Sequence, residues 1–274
     1  MPIFDCHCHS EYSSDGTASI SEILENAVRL GRAGQTVSDH YDPLSPASSE
    51  PLEPVDRIMN CISETFAFKQ KYEGTLKVLC GVEIGSWYRG ADNCAEIMND
   101  KRLDVVIGSV HSLSVSCSNG DIKPYSPSVS EPFAPQQIME TYMADEYRTA
   151  AFADVDVLAH PTYLERYLVK DGVPMFDADA YCCCCEDILR VAIRRDIAIE
   201  INLKSLKVNK NVPFSEFDLF KTYRDLGGKL VTLGSDAHTL SAMADLPQCT
   251  ELLKSAGFDE ACYFEKRKPV FYPL

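Results

Sequence analysis

Seven times along this chain a short run of apolar and β-branched residues gives way to a stretch with helical periodicity, and this alternation limits the available folds more than any other feature. The runs occupy residues 3–5, 36–39, 76–84, 105–110, 155–159, 197–201 and 230–233. Their lengths suit strands, and the segments between them are long enough to cross back over a sheet, so the strands are read as parallel with crossover helices. The clearest helix begins at Ser19, where Glu22 completes a Ser-x-x-Glu capping box and Ile20, Ile23, Leu24, Ala27 and Val28 mark one face. Further helices are predicted over 54–72, 93–100, 135–152, 178–195, 215–226 and 240–257, the one at 215–226 stopping at Gly227-Gly228. An open doubly wound sheet and a closed barrel both satisfy the pattern, but no Gly-x-Gly-x-x-Gly follows the first strand, which removes the main support for a dinucleotide-binding sheet. Segments 41–54 and 112–135 read as long, polar, Pro-containing loops of the kind that carry function or move. With no internal repeat and no linker, a single domain over 1–274 is expected.

Composition narrows the partners. The balance of 26 Lys+Arg against 41 Asp+Glu gives a formal net charge of −15, which repels long nucleic acid and anionic membrane surfaces. No apolar run approaches the roughly 18 residues of a membrane span, and Asp5 and His7 are reached without a basic leader, so a cytoplasmic location is expected. The 12 cysteines are scattered through strand-like and helix-like segments, which favours reduced thiols over disulfides. Cys182 to Cys185 could suggest a soft-metal site, yet successive residues on a helix point about 100° apart, so the four are read as packing or surface thiols.

All six histidines, His7, His9, His40, His111, His160 and His238, fall at or just past the C-terminal end of a predicted strand. In parallel α/β folds that end forms the face where ligands and catalytic groups collect. Carboxylates stand at equivalent positions: Asp5, Asp39, Glu83 and Asp236. In His7-Cys8-His9 the two imidazoles are two residues apart and project to the same side of a strand, the spacing that grips one ion. Imidazole and carboxylate donors without an obligatory thiolate suit Zn, Fe or Mn.

Together these residues form an ordered set: His7-x-His9, Ser13-x-Asp15-Gly16, Ser38-Asp39-His40, Gly81-Val82-Glu83, Gly108-Ser109-Val110-His111, Ala159-His160-Pro161 and Gly234-Ser235-Asp236-Ala237-His238. The set resembles the polymerase and histidinol phosphatase (PHP) superfamily in type and order. The resemblance implies a distorted (β/α)7 barrel with three divalent metal ions at its C-terminal mouth. It implies that His7, His9, Glu83 and Asp236 surround one ion, that Glu83 bridges to a second completed by His111 and His160, and that His40 and His238 hold a third. Many members carry histidine where this chain has Asp15, which implies a harder and weaker third site here, with a turn role before Gly16 as the alternative.

The length of the chain, together with segments His160 to Tyr167 and Ile199 to Asn202, is similar to the stand-alone histidinol-phosphate phosphatase branch. That resemblance implies hydrolysis of L-histidinol phosphate, a small phosphorylated substrate, to L-histidinol and phosphate through a metal-bridging hydroxide. Asp236 or His238 is the group expected to protonate the leaving alkoxide, with Asp236 preferred. A phosphate dianion invites a cation, for which Arg166, Lys204 and Lys207 lie after suitable strand ends. Competing readings are a PHP phosphodiesterase acting on short oligonucleotides or nucleotide phosphates, an amidohydrolase-like deaminase, and a metal-binding protein without turnover.

Overall fold

The computed structural model describes residues 2–44, 51, 54–114, 116–117, 120–121, 134–170, 173–208, 212 and 214–274. Most of segments 45–53 and 115–133, including much of the two expected long loops, lies outside the described residues.

The seven predicted strands appear in one parallel sheet: β1 (Phe4–Asp5), β2 (Gly34–Val37), β4 (Lys77–Gly85), β5 (Val105–Ser109), β6 (Val157–Leu158), β7 (Ala198–Asn202) and β8 (Val231–Gly234), in that spatial order. An eighth, short strand, β3 (His40–Tyr41), pairs with β4 off this path. Backbone bonds from Cys6 N–H to the Leu233 carbonyl (2.7 Å), Asp236 N–H to His7 (2.8 Å) and His9 N–H to Ala237 (2.9 Å) join the first strand region to the last. The sheet thus curls into the distorted (β/α)7 barrel.

The distortion has a local cause. The expected strand over 36–39 is broken at Ser38-Asp39, because the Asp39 carboxylate accepts the Ser10 N–H (2.8 Å) and the Ser10 and Ser13 hydroxyls (2.7 and 2.6 Å). Strand β4 lies between β2, which it pairs through Lys77–Cys80, and β5, which it pairs through Gly81–Gly85. At Gly81 a Cβ would come within 2.8 Å of Thr36 on one side and 2.9 Å of Val105 on the other.

The capping box at Ser19 forms as predicted, with Ser19 N–H donating to Glu22 Oε2 at 2.8 Å. Ile20, Ile23, Leu24 and Ala27 are buried, but Val28 is 39% exposed and lies at the edge of the face it was expected to join. The helix predicted over 240–257 is two pieces, a 3₁₀ turn Leu240–Met243 and a helix Pro247–Ser255, since Pro247 favours the first turn of a new helix over the interior of a longer one. Cys183 is exposed, Cys182 and Cys184 are half-buried and Cys185 is buried, which matches four thiols fanning around one helix. No disulfide joins the 11 cysteines whose side chains are described. No helix among them is long and apolar enough to cross a membrane.

Sequence patterning did not reveal the antiparallel hairpin β9 (Glu260–Glu265) and β10 (Lys268–Pro273). Its two-residue turn, Lys266-Arg267, places both residues at positive φ (51° and 62°), a conformation usually signalled by Asn-Gly. The hairpin covers the end of the barrel opposite the strand C-termini. Phe4 stacks on Tyr263 with ring centroids 4.1 Å apart and touches Tyr272 at 4.8 Å. Cys262 and Phe264 join Val105, Ile107, Val157 and Ala198 in the barrel interior. Arg267 ties the turn to the barrel rim through Asp156 and the Asp154 carbonyl (2.8 Å).

Two predictions follow from this packing. Phe4→Ala should destabilise the protein by about 3 kcal/mol, as expected for a truncated core aromatic, and denaturant unfolding will measure it. Glu146 is fully buried, neither carboxyl oxygen has a hydrogen-bond partner among the described residues, and burial pushes its pKa up to about 8 from an ordinary 4.5. Its folded-state pKa is raised, so the associated stability is present at acid pH and is lost as pH climbs through about 8. Glu146→Gln should therefore flatten the decline in unfolding free energy from pH 5 to about pH 9 and leave the acid end unchanged.

Candidate metal centre

The strand ends bring nine side chains to one mouth. The parallel bridge between Cys8 and Ala237 turns the Cys8 thiol into the core beneath the Ile20–Arg29 helix, so His7 and His9 face the barrel axis together, their Nε2 atoms 3.0 Å apart. The β3–β4 register sets His40 directly beside Glu83. His111 and His160 each lie two residues beyond the ends of β5 and β6, and Asp236 and His238 follow β8. His160 and Asp236 adopt positive φ (34° and 50°), a strained backbone for residues other than glycine that turns each side chain inward.

Glu83 is the hub. Its Oε2 lies 2.7 Å from His40 Nδ1, 3.2 Å from His7 Nε2 and 3.5 Å from His9 Nε2. Its Oε1 lies 3.2 Å from both His111 Nε2 and His160 Nε2. Asp236 Oδ1 is 3.4 Å from His9 Nε2 and 3.0 Å from Lys204 Nζ. Asp15, more exposed than the others, reaches His238 Nε2 at 3.1 Å and His40 Nε2 at 3.7 Å.

This arrangement fits metal ions better than hydrogen bonds. Glu83 Oε2 and His40 Nδ1 are buried and 2.7 Å apart, yet among the described residues neither has a partner in hydrogen-bond geometry. His40 Nε2 and His238 Nε2 face one another at 3.2 Å. Three donor sets, His9 with His40 and His238, His7 with His9 and Asp236, and His40 with Glu83 and His111, each gather their ligand atoms within 4.8 Å. Imidazole nitrogens and carboxylate oxygens brought from separate strand ends onto common points are the chemistry of a cation site.

The charges agree. Burial disfavours the His7 imidazolium, but Glu200 and Glu83 outweigh it and raise its pKa well above the ordinary value. His111 is likewise raised, against burial, by Asp42 and Glu83, whereas burial and the neighbouring His40 push His9 well down. Against burial, His7, His111 and His40 hold Glu83 well below the usual carboxylate range, and Lys204 and His9 do the same for Asp236. Both carboxylates are thus kept ionised, as cation ligands must be.

Several supporting residues were not singled out from sequence as parts of the site. Glu200 Oε1 lies 2.6 Å from His7 Nδ1, and Glu200 Oε2 accepts the His160 N–H (3.1 Å) and the Asn202 amide (3.1 Å). Asp42 Oδ2 lies 3.2 Å from His111 Nδ1, and Ser13 Oγ lies 3.3 Å from His9 Nδ1. These partners fix which ring nitrogen faces the mouth. The signal for Glu200 was present in Ile199-Glu200-Ile201-Asn202, where the two polar residues share a side of a strand otherwise made of core residues.

The three cations expected near a phosphate separate. Lys204 enters the cluster, with Nζ 3.1 Å from His238 Nδ1 in addition to its Asp236 contact. Arg166 stands one layer back, donating to Asn202 Oδ1 (3.1 Å) and Ser205 Oγ (2.8 Å) with its guanidinium 4.4 Å above the Tyr163 ring. Lys207 pairs with Asp245 at 2.8 Å instead of meeting the histidines.

Glu200→Gln should lower metal affinity about 10- to 100-fold while leaving secondary structure intact, read by metal content after dialysis against a graded chelator series. Gly234→Ala should be more damaging, because a Cβ there would lie 1.9 Å from Glu200 Oε1 and 2.9 Å from His7 Cβ. Its purified protein should contain little metal and unfold at a lower temperature.

Comparison with known proteins agrees with this geometry. A probable histidinol-phosphatase from Clostridium acetobutylicum is 29% identical over 268 residues, covering 97% of this chain and 98% of that protein. A histidinol-phosphatase from Lactococcus lactis is 26% identical over 275 residues, covering 98% and 96%. The crystal structure of histidinol phosphate phosphatase from Lactococcus lactis, complexed with zinc, L-histidinol and phosphate, superposes with a TM-score of 0.80 at 22% identity, over 98% of each chain. The PHP domain model itself matches residues 5–204, from the first strand through the segment that carries Glu200 and Lys204, and the chain therefore belongs to the PHP domain family.

Proposed function

We propose that this protein is a metal-dependent phosphatase that hydrolyses L-histidinol phosphate to L-histidinol and phosphate. The observation that carries the reading is the Glu83 carboxylate set among five imidazoles at the barrel mouth, in a chain whose relatives along nearly their whole length bear the histidinol-phosphatase name. His7, His9, Glu83 and Asp236 would hold one ion, Glu83 with His111 and His160 a second, and His40, His238 and Asp15 a third, with Zn, Fe or Mn suited to the donors. Bound divalent ions supply two things to phosphate-monoester hydrolysis, a more acidic attacking water and neutralisation of the phosphoryl charge.

The chain's own residues supply the rest. Lys204 Nζ, bonded to Asp236 and close to His238, places a positive charge at the edge of the cluster where phosphoryl oxygens would lie. Asp236, kept ionised chiefly by Lys204 against the pull of burial, is suited to accept a proton from the attacking water. The same carboxyl, once protonated, can return that proton to the departing alkoxide. Arg166 acts through Asn202, whose amide donates to Asp236 Oδ2 at 3.3 Å, and so steadies the carboxylate instead of meeting phosphate. Lys207 has no part in this reading.

The test is phosphate release from L-histidinol phosphate by protein purified without chelator, beside a dinucleotide and a nucleoside 3′,5′-bisphosphate. Turnover should be confined to histidinol phosphate, vanish on chelation, return on adding Zn, Mn or Fe, and fall by about two orders of magnitude or more in His9→Ala. Turnover of the nucleotides alone would replace the substrate and keep the metal centre.

A further inference from the structure

A cavity of about 330 Å³ lies on the far side of Arg166 from the metal centre. It is lined by Thr162, Glu165, Arg166, Glu216 and Gln248, with an apolar wall that includes Leu206 and Phe217. None of the nine clustered metal-centre side chains lines it. Its size lies at the lower end for pockets that hold a small organic molecule.

Among the described residues, two of its polar atoms have no hydrogen-bond partner. Glu216, the first residue of the helix Glu216–Asp225, is 7% exposed; its Oε1 accepts the Thr162 hydroxyl, and its Oε2 is buried without a hydrogen bond. The Arg166 Nε–H is also buried and unbonded, although the same guanidinium donates to Asn202 and Ser205 through its Nη2 atom. Glu165 stands beside them, 4% exposed, accepting the Phe214 N–H at 3.0 Å. Two buried carboxyl groups thus share one cavity, and their ionisation is opposed chiefly by burial, which pushes Glu216 up to about 7 and Glu165 up to about 8. A buried carboxylate with an open lone pair is costly until a cationic donor reaches it.

We infer that this cavity is a recognition site for a small molecule bearing a protonated nitrogen, an ammonium or an imidazolium, with Glu216 as its anchor and the Arg166 Nε–H meeting an oxygen or ring nitrogen of the same molecule. The link to the proposed reaction is structural. Arg166 forms the cavity wall and bonds Asn202, which bonds Asp236, so occupancy is felt at the metal centre through two hydrogen bonds. The substrate proposed above carries an ammonium and an imidazole at the end away from its phosphate, and the inference rests on that reading only for this link. The ligand is therefore either the organic end of the molecule being hydrolysed or a free amine bound beside it.

The experiment titrates L-histidinol into metal-loaded protein at saturating inorganic phosphate by calorimetry, and in parallel measures KM and kcat for histidinol phosphate and for phenyl phosphate, which has no cationic nitrogen. Glu216→Gln keeps the shape and the Thr162 bond while removing the charge. It should weaken L-histidinol binding about ten- to a hundredfold and leave phenyl phosphate turnover within about twofold. If KM for histidinol phosphate rises by the same factor, the cavity holds the organic end of the substrate; if that KM is unchanged, it holds a separate amine. Gln248→Trp, at an exposed lining position, should block the cavity and reproduce the loss of binding should Glu216→Gln fold poorly. Wild-type affinity for L-histidinol in both variants, or equal losses on both phosphate esters, would overturn the inference. Glu216-dependent binding of L-histidinol without turnover of histidinol phosphate would uphold the cavity and remove the substrate reading, and turnover of histidinol phosphate with L-histidinol binding indifferent to Glu216 would do the reverse.

Discussion

A single buried carboxylate, that of Glu83, sits where five imidazoles converge, and the architecture around it serves to keep that arrangement from collapsing. An isolated carboxylate at zero exposure would take up a proton. Here it is held ionised because the ring nitrogens come from four strand ends around a closed sheet and cannot all move away. The broken strand at Ser38-Asp39 lets His40 pair beside it. That irregularity of the barrel and the geometry of the centre therefore have one origin.

Around this hub lies a second ring of acceptors that decides how the imidazoles present themselves. Glu200 and Asp42 face the outer nitrogens of His7 and His111, while the Ser13 hydroxyl, itself fixed by Asp39, lies beside His9. Such partners set tautomer and ring orientation before any cation arrives. The positive φ values at His160 and Asp236 tell a similar story, since both strained residues are stapled by backbone bonds, His160 N–H to Glu200 and Asp236 N–H to the His7 carbonyl.

How much of this was legible in the sequence depends on whether the information is local. The strand cores and the histidines at their ends could be read because each motif is contained within a few residues, and the family resemblance ordered them. Glu200 and Asp42 could not be assigned, since their partners lie 193 and 69 residues away and only barrel closure brings them together. Lys204 and Lys207 looked alike in sequence and part company in space, because the intervening Leu203–Val208 helix turns one toward Asp236 and the other toward Asp245. The β9–β10 hairpin escaped because its turn lacks Gly and Asn and its charged ends resemble a surface tail.

That hairpin has a consequence for the order in which the molecule is made. Its Tyr263 and Tyr272 are the rings on which Phe4 rests, and Leu233 to Ala237 supply the edge against which residues 6 to 9 are bonded. The first two histidines of the chain are thus positioned by residues near its C-terminus. The strand that begins at Phe4 can therefore close against its partner only once residues 233–237 have been made. A chain interrupted before residue 260 would carry every one of the nine clustered side chains without the rings on which Phe4 rests.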